Sequence, residues 1–266
     1  MEEKRYTFDD LLDIMKQLRS DDGCPWDREQ TYESLKKYVI EETYEVIEAV
    51  DLQDRRKLCE ELGDLLLQVV FYAQIAKEKN EFGMADVIDG ICRKLIHRHP
   101  HVFGDVVAET PDQVMENWEA IKKEEKGISS QTELLKDVPA NLPALMRSYK
   151  VQEKAAQVGF DWTEVDDVFN KVLEEVQEIK EVYKSKNVAR ISEEIGDALF
   201  SLVNLSRFFD IQPELALTAT TEKFIKRFSY IERESRKAGR KLEEMSLKEM
   251  DQLWDKSKTL DSQGGD

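Results

Sequence analysis

Two ten-residue segments of this chain have nearly the same sequence: EELGDLLLQV at 60–69 and EEIGDALFSL at 193–202. Each places two glutamates and an aspartate in an otherwise apolar stretch. Carboxylates are costly among apolar side chains unless a cation meets them. The repeated pattern therefore indicates that these acidic residues have a purpose beyond solubility.

Other landmarks recur in the same order along the chain. They pair EETYEV (41–46) with EEVQEI (174–179), KLIHR (94–98) with KFIKR (223–227), WEAIK (118–122) with WDKSK (254–258), and GCPWD (23–27) with GFDWT (159–163). The offsets between partners lie between 129 and 136 positions. A repeat of this length has the size of a domain. We predict an N-terminal domain at 1–126, a linker rich in Gly, Ser and Pro at 127–142, a C-terminal domain at 143–260 and a tail at 261–266.

The hydrophobic periodicity is helical. In SLKKYVIEETYEVIEAV (34–50) apolar residues recur at steps of three and four, and LCEELGDLLLQVVFYAQIA (58–76) is apolar on almost all sides. The first pattern indicates an amphipathic helix and the second a buried one. No sustained alternating pattern of a strand is found. The sequence predicts an all-α fold of two tandem helical bundles.

Composition narrows the class of protein. The 266 residues carry a net charge of −17, which argues against a nucleic-acid partner because no basic face is available. No apolar run reaches the roughly 18 residues of a membrane span, and the N-terminus lacks the apolar segment of a signal peptide. We expect a cytoplasmic protein with no membrane partner. Cys24, Cys59 and Cys92 form no CxxC pair and are expected to be free thiols.

Each half of the chain carries four acidic residues as two pairs with i, i+3 spacing. They are Glu42, Glu45, Glu61 and Asp64 in the first half, and Glu175, Glu178, Glu194 and Asp197 in the second. Residues three apart share a helix face, and a hairpin turning near residue 53 or 186 would bring the pairs together. Hard divalent cations, Mg²⁺ or Mn²⁺, suit such a set of oxygen ligands. The alternative is that the acids face solvent or pair with nearby lysines and arginines. Gly63 and Gly196 are expected to allow close approach of the paired helices.

Basic and aromatic residues recur in both halves as well. Lys223 and Arg227 lie one helical turn apart, and so do Trp254 and Lys258. Their counterparts are Lys94, Arg98, Trp118 and Lys122. Cations beside a metal cluster are what a polyphosphate needs. Trp254 suits either stacking on a base or packing in the core.

Two other candidate sites are not favoured. His97, His99 and His101 lie close together, but Pro100 breaks their spacing and the second half has no histidine there, so zinc is not expected. Cys24 has no local base or cation that would activate it as a nucleophile. No phosphate loop of the GxxxxGK[ST] kind is present.

On these residues the chain resembles the MazG family of nucleoside triphosphate pyrophosphohydrolases over nearly its whole length. The ExxE…ExxD signature of that family occurs twice, and GCPWD, EETYEV and IHRHPHVF (96–103) also look like its N-terminal half. The resemblance implies an all-α, Mg²⁺-binding homodimer. It also implies hydrolysis of nucleoside triphosphates to a monophosphate and pyrophosphate, with broad base tolerance.

In two-domain members of this family, activity is generally assigned to the C-terminal half. The resemblance then implies that Glu175, Glu178, Glu194 and Asp197 bind the metal. It further implies that Lys223, Arg227, Trp254 and Lys258 contact the nucleotide, and that Lys223 and Arg227 stabilise the departing pyrophosphate. Glu174, or Glu41 in the first half, is the candidate base for the attacking water.

Several alternatives stay open at this point. The N-terminal half could be active, regulatory or only a dimerisation partner. The enzyme could have a narrow substrate range, for dUTP, dCTP or phosphoribosyl-ATP. The chain could also be a non-catalytic helical interaction module with a structural cation.

Overall fold

The computed structural model describes the backbone of residues 4–263 and the side chains of residues 4–260. The regular elements in this part of the chain are all helical, which confirms the predicted fold class. Two single 3₁₀ turns lie at Tyr183–Ser185 and Leu242–Glu244. The helices are α1 Phe8–Leu18, α2 Pro25–Glu29, α3 Tyr32–Asp51, α4 Arg55–Glu78, α5 Met84–Arg98, α6 Pro100–Phe103, α7 Pro111–Glu125, α8 Gln131–Lys136, α9 Ala144–Ala156, α10 Val165–Val182, α11 Val188–Phe208, α12 Pro213–Lys237 and α13 Leu247–Gln263.

The chain divides between Lys122 and Lys123 into two compact units. In the first unit, α3 and α4 pair along their length, and α1 and α5 pack against α4. In the second unit, α10 pairs with α11 in the same way, and α9 packs against α11. There α8 and α12 pack against α9, and α13 packs against α12. A helical hairpin is thus the centre of each unit.

The turns of the two hairpins match at two positions, although a 3₁₀ turn at Tyr183–Ser185 occurs only in the second. Asp54 caps α4 and Asn187 caps α11, and each side chain accepts hydrogen bonds from backbone N–H groups of the first turn. The residue before each cap, Gln53 or Lys186, has a left-handed backbone with φ of 54° and 56°. Both pairs are 133 positions apart. The internal duplication therefore extends to the backbone of the turns.

The segments that precede the two hairpins are related by a second sequence offset, of 136 positions. The N–H group of Gly23 donates to the carbonyl of Ser20 at 2.8 Å, and the N–H group of Gly159 donates to that of Ala156 at 2.9 Å. Gly23 and Gly159 are 136 positions apart, and so are Ser20 and Ala156. The two turns share this hydrogen bond but differ in backbone, because Gly159 has a left-handed φ of 78° and Gly23 does not.

The region predicted as a linker, 127–142, belongs to the second unit. It contains α8, which packs against α9, and it buries Leu134 and Val138. This Gly- and Pro-containing stretch is therefore part of the folded second unit. The predicted tail begins too early, because α13 continues to Gln263. Residues 264–266 lie outside the described residues.

The core of the first unit is built from α1, α3, α4 and α5. Its buried members include Met15, Leu35 and Phe71, each at most 3% exposed. The prediction that α4 is buried on all sides is wrong. Leu62 and Leu66 are 50% and 40% exposed, because the helices packed on α4 cover only part of its circumference.

The buried side chain of Leu35 gives a stability prediction. Leu35→Ala should lower the free energy of unfolding by about 2–5 kcal/mol, because it leaves a cavity in the core. Ile40→Ala, on the same helix and 59% exposed, should change it by less than about 1 kcal/mol. Urea unfolding followed by circular dichroism measures both. Equal effects of the two variants would contradict this assignment of the core.

Candidate active site

The carboxylates predicted in the second unit do come together. The α10–α11 hairpin places one carboxylate oxygen each of Glu175, Glu194 and Asp197 within 4.8 Å of one another. Glu178 is the fourth member, because the charges of Glu194 and Glu175 act on its carboxyl group. Glu175 is 5% exposed, and the side chain of Glu194 is 12% exposed. Glu175 and Glu194 are therefore largely withdrawn from water, whereas Asp197 is exposed.

The charges of this cluster are only partly compensated. Burial raises the pKa of Glu178, and the neighbouring charges of Glu194 and Glu175 raise it further. One oxygen of Glu175, Oε2, is buried without a hydrogen-bond partner. An unsatisfied buried polar group costs about 1–3 kcal/mol, and more when it is charged. Arg190 lies 3.6 Å from Glu194, yet this oxygen of Glu175 has no hydrogen-bond partner.

The acidic cluster of the first unit shares two equivalent positions with that of the second, Glu42 with Glu175 and Glu61 with Glu194, and differs in its third close member. Oxygens of Glu42, Glu45 and Glu61 lie within 4.8 Å of one another. Burial raises the pKa of Glu42, followed by the charges of Asp64 and Glu45. Burial also raises the pKa of Glu61, with Glu45 the largest charge contribution. As the hairpin geometry predicts, Asp64 acts on Glu42 and Glu45 acts on Glu61.

Both clusters have the chemistry of a site for a hard divalent cation. Their ligand atoms are all carboxylate oxygens, which Mg²⁺ and Mn²⁺ prefer. The unpartnered oxygen of Glu175 would gain an ionic partner, and the repulsion that raises the carboxyl pKa values would be relieved. The residues present therefore fit such an ion.

Lys171 is a site residue that the sequence analysis did not identify. Its ammonium group lies 2.7 Å from Glu175 and 2.8 Å from Glu174. These carboxylates raise its pKa above the usual range. The available signal was its position one helical turn before the acidic pair. Lys171 has Tyr38 as its counterpart 133 positions earlier, so the cation occurs in the second unit's repeat only.

The candidate base of the second unit has a different environment from the acidic cluster. The side chain of Glu174 is 57% exposed and forms its ion pair with Lys171. Glu41, at the same position of the first unit, is also exposed. The structure thus places both residues beside the clusters on the solvent side.

The predicted basic and aromatic residues form a separate group. The guanidinium carbon of Arg227 lies 5.7 Å from the centre of the Trp254 ring, whose other neighbour is Phe224 at 5.1 Å. Lys258 pairs with Asp255 at 2.9 Å, and Lys223 is exposed. These contacts lie on α12 and α13, whereas the carboxylates lie between α10 and α11. The main packing partners of α12 are α9 and α13, and α9 packs against α11 of the hairpin.

The corresponding group of the first unit repeats this geometry. Arg98 lies over the ring of Trp118 at the same 5.7 Å, and Lys122 lies 5.9 Å from it. His99 adds a ring contact to Trp118 at 6.3 Å and one to His101 at 5.6 Å. The histidines therefore extend the aromatic packing around Trp118.

The glycines before the aspartates do not serve close helix packing. A methyl group at Gly63 or Gly196 would meet no atom within 4 Å, so the prediction of close approach there is wrong. Each glycine instead lies on an exposed face of its helix. Gly159 is different, because its φ of 78° is strained for other residues and ends the turn after α9.

A cavity of about 640 Å³ adjoins the acidic cluster of the second unit. Glu175, Asp197 and Lys171 border it on one side. The GFDWT segment borders it elsewhere, contributing Phe160 and Trp162. This segment is a landmark of the duplication and was not among the predicted site residues. The structure thus joins a mainly apolar space to a group of anions.

No helix in the described part of the chain is long and apolar enough to span a membrane.

Comparisons with known proteins agree with this architecture. Residues 30–103 and 164–231 each match the family described as MazG nucleotide pyrophosphohydrolase domain. The chain is 47% identical over 266 residues to the nucleoside triphosphate pyrophosphohydrolase/pyrophosphatase MazG of Thermotoga maritima, covering all of this chain and 99% of that protein. It is 44% identical over 256 residues to the nucleoside triphosphate pyrophosphohydrolase of Escherichia coli, covering 94% of this chain and 97% of its relative.

The two matched regions contain the two acidic clusters, one in each repeat. The resemblance inferred from the ExxE…ExxD signatures is therefore confirmed, and the chain belongs to the MazG nucleotide pyrophosphohydrolase family, with the family domain present twice.

Proposed function

We propose that the protein hydrolyses nucleoside triphosphates of several bases to the monophosphate and pyrophosphate, and that the second unit carries the activity. The relatives from Thermotoga maritima and Escherichia coli bear the name of such enzymes. The observation that favours the second unit is the combination of a buried acidic cluster, a cation and an adjoining cavity of about 640 Å³.

Glu175, Glu178, Glu194 and Asp197 would hold Mg²⁺, or Mn²⁺ in its place. The ion would supply charge neutralisation for the phosphate oxygens of the substrate. The buried unpartnered oxygen of Glu175 supports this role, since a bound cation would compensate it. The matching cluster of Glu42, Glu45, Glu61 and Asp64 could hold an ion in the first unit, where it would serve the fold rather than turnover.

The side chains around the cluster have distinct proposed roles. Lys171 can move from Glu175 to a phosphate oxygen once the carboxylate has a metal partner, because a lysine side chain is long and flexible. Glu174 would accept the proton of the attacking water. Lys223 and Arg227, with Trp254 and Lys258, remain proposed contacts of the departing pyrophosphate and the nucleotide. These residues lie on α12 and α13, and α12 packs against α9, which in turn packs against α11 of the hairpin.

We also propose that the chain forms a homodimer. Ile195, Leu199 and Leu202 follow one another at helical spacing on α11 and are 45%, 49% and 47% exposed. A second copy that covers this face would remove an exposed apolar stripe from water. The face recurs 133 positions earlier on α4, as Leu62, Leu66 and Val69.

The activity is tested by pyrophosphate release from ATP, GTP, CTP and UTP with Mg²⁺. The wild-type chain should act on all four. Glu175→Gln should lower kcat/KM by more than about 100-fold, whereas Glu42→Gln should lower it by less than about threefold. Glu193→Gln removes an exposed acid beside the cluster and serves as the matched control. Glu174→Gln should lower kcat with little change in KM.

The outcomes separate the alternatives. Equal losses in Glu175→Gln and Glu42→Gln would contradict the assignment of activity to the second unit. An unchanged kcat in Glu174→Gln would remove that residue as the base. A wild-type chain that releases no pyrophosphate from any nucleotide would contradict the enzyme proposal and favour a structural cation site.

The dimer is tested by sedimentation equilibrium. The wild-type chain should have twice the mass of one chain, and Leu199→Glu should shift it toward the monomer because a charge is buried in the interface. Val188→Glu, on the same helix and 78% exposed, is the control and should stay dimeric. A monomeric wild-type chain would overturn the dimer.

A further inference from the structure

We propose that the first unit has a binding site for a phosphate oxyanion, formed around Trp118 by side chains that follow or belong to α5, α6 and α7. Inorganic phosphate, pyrophosphate and the phosphate group of a nucleotide all belong to this class of ligand. Binding at this site involves neither acidic cluster and needs no turnover. The histidine segment IHRHPHVF (96–103) would thereby have a role in ligand binding.

Two ring nitrogen atoms in this part of the first unit are buried without a hydrogen-bond partner. They are Nε1 of Trp118 and Nδ1 of His101. Buried polar side-chain atoms have a partner in the large majority of cases, so each such atom asks for an explanation. The indole nitrogen can only donate. The partner that Trp118 lacks is therefore an acceptor atom.

His99 joins the two rings into one group. Its ring centre lies 6.3 Å from that of Trp118 and 5.6 Å from that of His101. The Nδ1 atom of His99 lies 2.6 Å from the carbonyl of Leu95, which orients the ring at the end of α5. Trp118, His99 and His101 are all half-buried. The group thus reaches the surface of the unit, where small side-chain rotations would open the two nitrogen atoms to an ion from solvent.

Two cations give this group a positive environment. The guanidinium carbon of Arg98 lies 5.7 Å from the centre of the Trp118 ring, and Nζ of Lys122 lies 5.9 Å from it. Arg98 is 9% exposed, so water screens its charge only weakly. Hydrogen bonds to an ionised acceptor are stronger than those to a neutral one. An anion is therefore the acceptor that this environment favours.

Glu119 is a carboxylate that such an anion has to compete with. It pairs with Lys122 at 3.1 Å, three positions away on the same helix. Partly exposed pairs of this kind contribute little to stability, so Lys122 can turn toward another anion at small cost. A phosphate group carries a charge of about −1.5 to −2 at pH 7 and has three acceptor oxygens. It therefore competes with a single carboxylate better than another carboxylate would.

The second unit has aromatic carbon rings where the first unit has these imidazoles. At the offset of 129 positions, Leu95, His99 and His101 correspond to Phe224, Phe228 and Tyr230. The ring of Trp254 has Phe224 at 5.1 Å, and Phe224 stacks with Phe228 at 6.2 Å. The imidazole contacts of Trp118 are thus a feature of the first unit, and so is the proposed site.

The test follows the histidine rings by NMR. The chain has three histidines, all in this segment, so a chain labelled with isotope at histidine alone reports on this site. The metal-free protein in EDTA is titrated with inorganic phosphate, pyrophosphate or AMP at constant pH and ionic strength, with chloride as the reference anion. We expect saturable shifts of the His99 and His101 signals with phosphate and with pyrophosphate.

Two substitutions test the donors. Trp118→Phe keeps an aromatic ring and removes the indole N–H, so it should raise the dissociation constant of phosphate by about tenfold or more. His101→Tyr introduces the residue type of the second unit and should weaken binding to a similar degree. Trp254→Phe makes the matched change in the second unit and should leave the constant within about twofold of the wild type.

The outcomes decide both the site and the source of its ligand. The proposal is overturned if none of the three anions gives a saturable shift, or if both first-unit variants bind phosphate as the wild type does. Tighter binding of AMP than of phosphate would support the site with a nucleotide as its ligand, and equal or weaker binding would support it with the free ion. Because the titration contains no metal and measures no turnover, failure of the proposed hydrolysis would leave this result unchanged.

Discussion

Repulsion between carboxylates is the constraint on which the rest of this structure depends. Each hairpin gathers four acidic side chains between two helices, and burial together with like charge raises the pKa of Glu42, Glu61 and Glu178. In the second unit Lys171 supplies one positive charge, yet an oxygen of Glu175 is left without a partner. A divalent cation would reduce the repulsion between the carboxylates and give this oxygen a partner. The hairpin that gathers the acidic residues would therefore also form the proposed metal site.

The two units have equivalent hairpins but differ in the side chains packed beside them. Their turns, caps and acidic residues coincide, including the left-handed residues Gln53 and Lys186. The difference lies in the space behind the hairpin. Phe71 and Met15 belong to a packed core in the first unit, whereas Asn204 and Val151 border a cavity in the second. The two repeats thus differ in side-chain volume beside the hairpin, while both keep the acidic cluster.

Much of the fold could be predicted from the sequence, because helical periodicity and the spacing of the duplicated motifs are local signals. The position of the turn at residue 53 predicted that Glu42 faces Asp64 and that Glu45 faces Glu61. The burial of α4 could not be predicted correctly, since exposure of Leu62 depends on how many helices cover it. The close helix approach predicted at Gly63 and Gly196 was wrong for the same reason, because it too depends on how the helices pack around them. The cavity was missed because its lining residues are distant in sequence and meet only in the folded unit. Lys171, in contrast, could have been identified from its position one helical turn before Glu174 and Glu175.

The central claim is that the acidic cluster of the second unit holds a divalent cation. The most direct measurement is a titration of the protein with Mn²⁺, followed by the electron paramagnetic resonance signal of the free ion. The account predicts saturable binding by the wild-type chain and loss of a class of sites in the double variant Glu175→Gln, Glu194→Gln. Binding that is unchanged in this variant would contradict it.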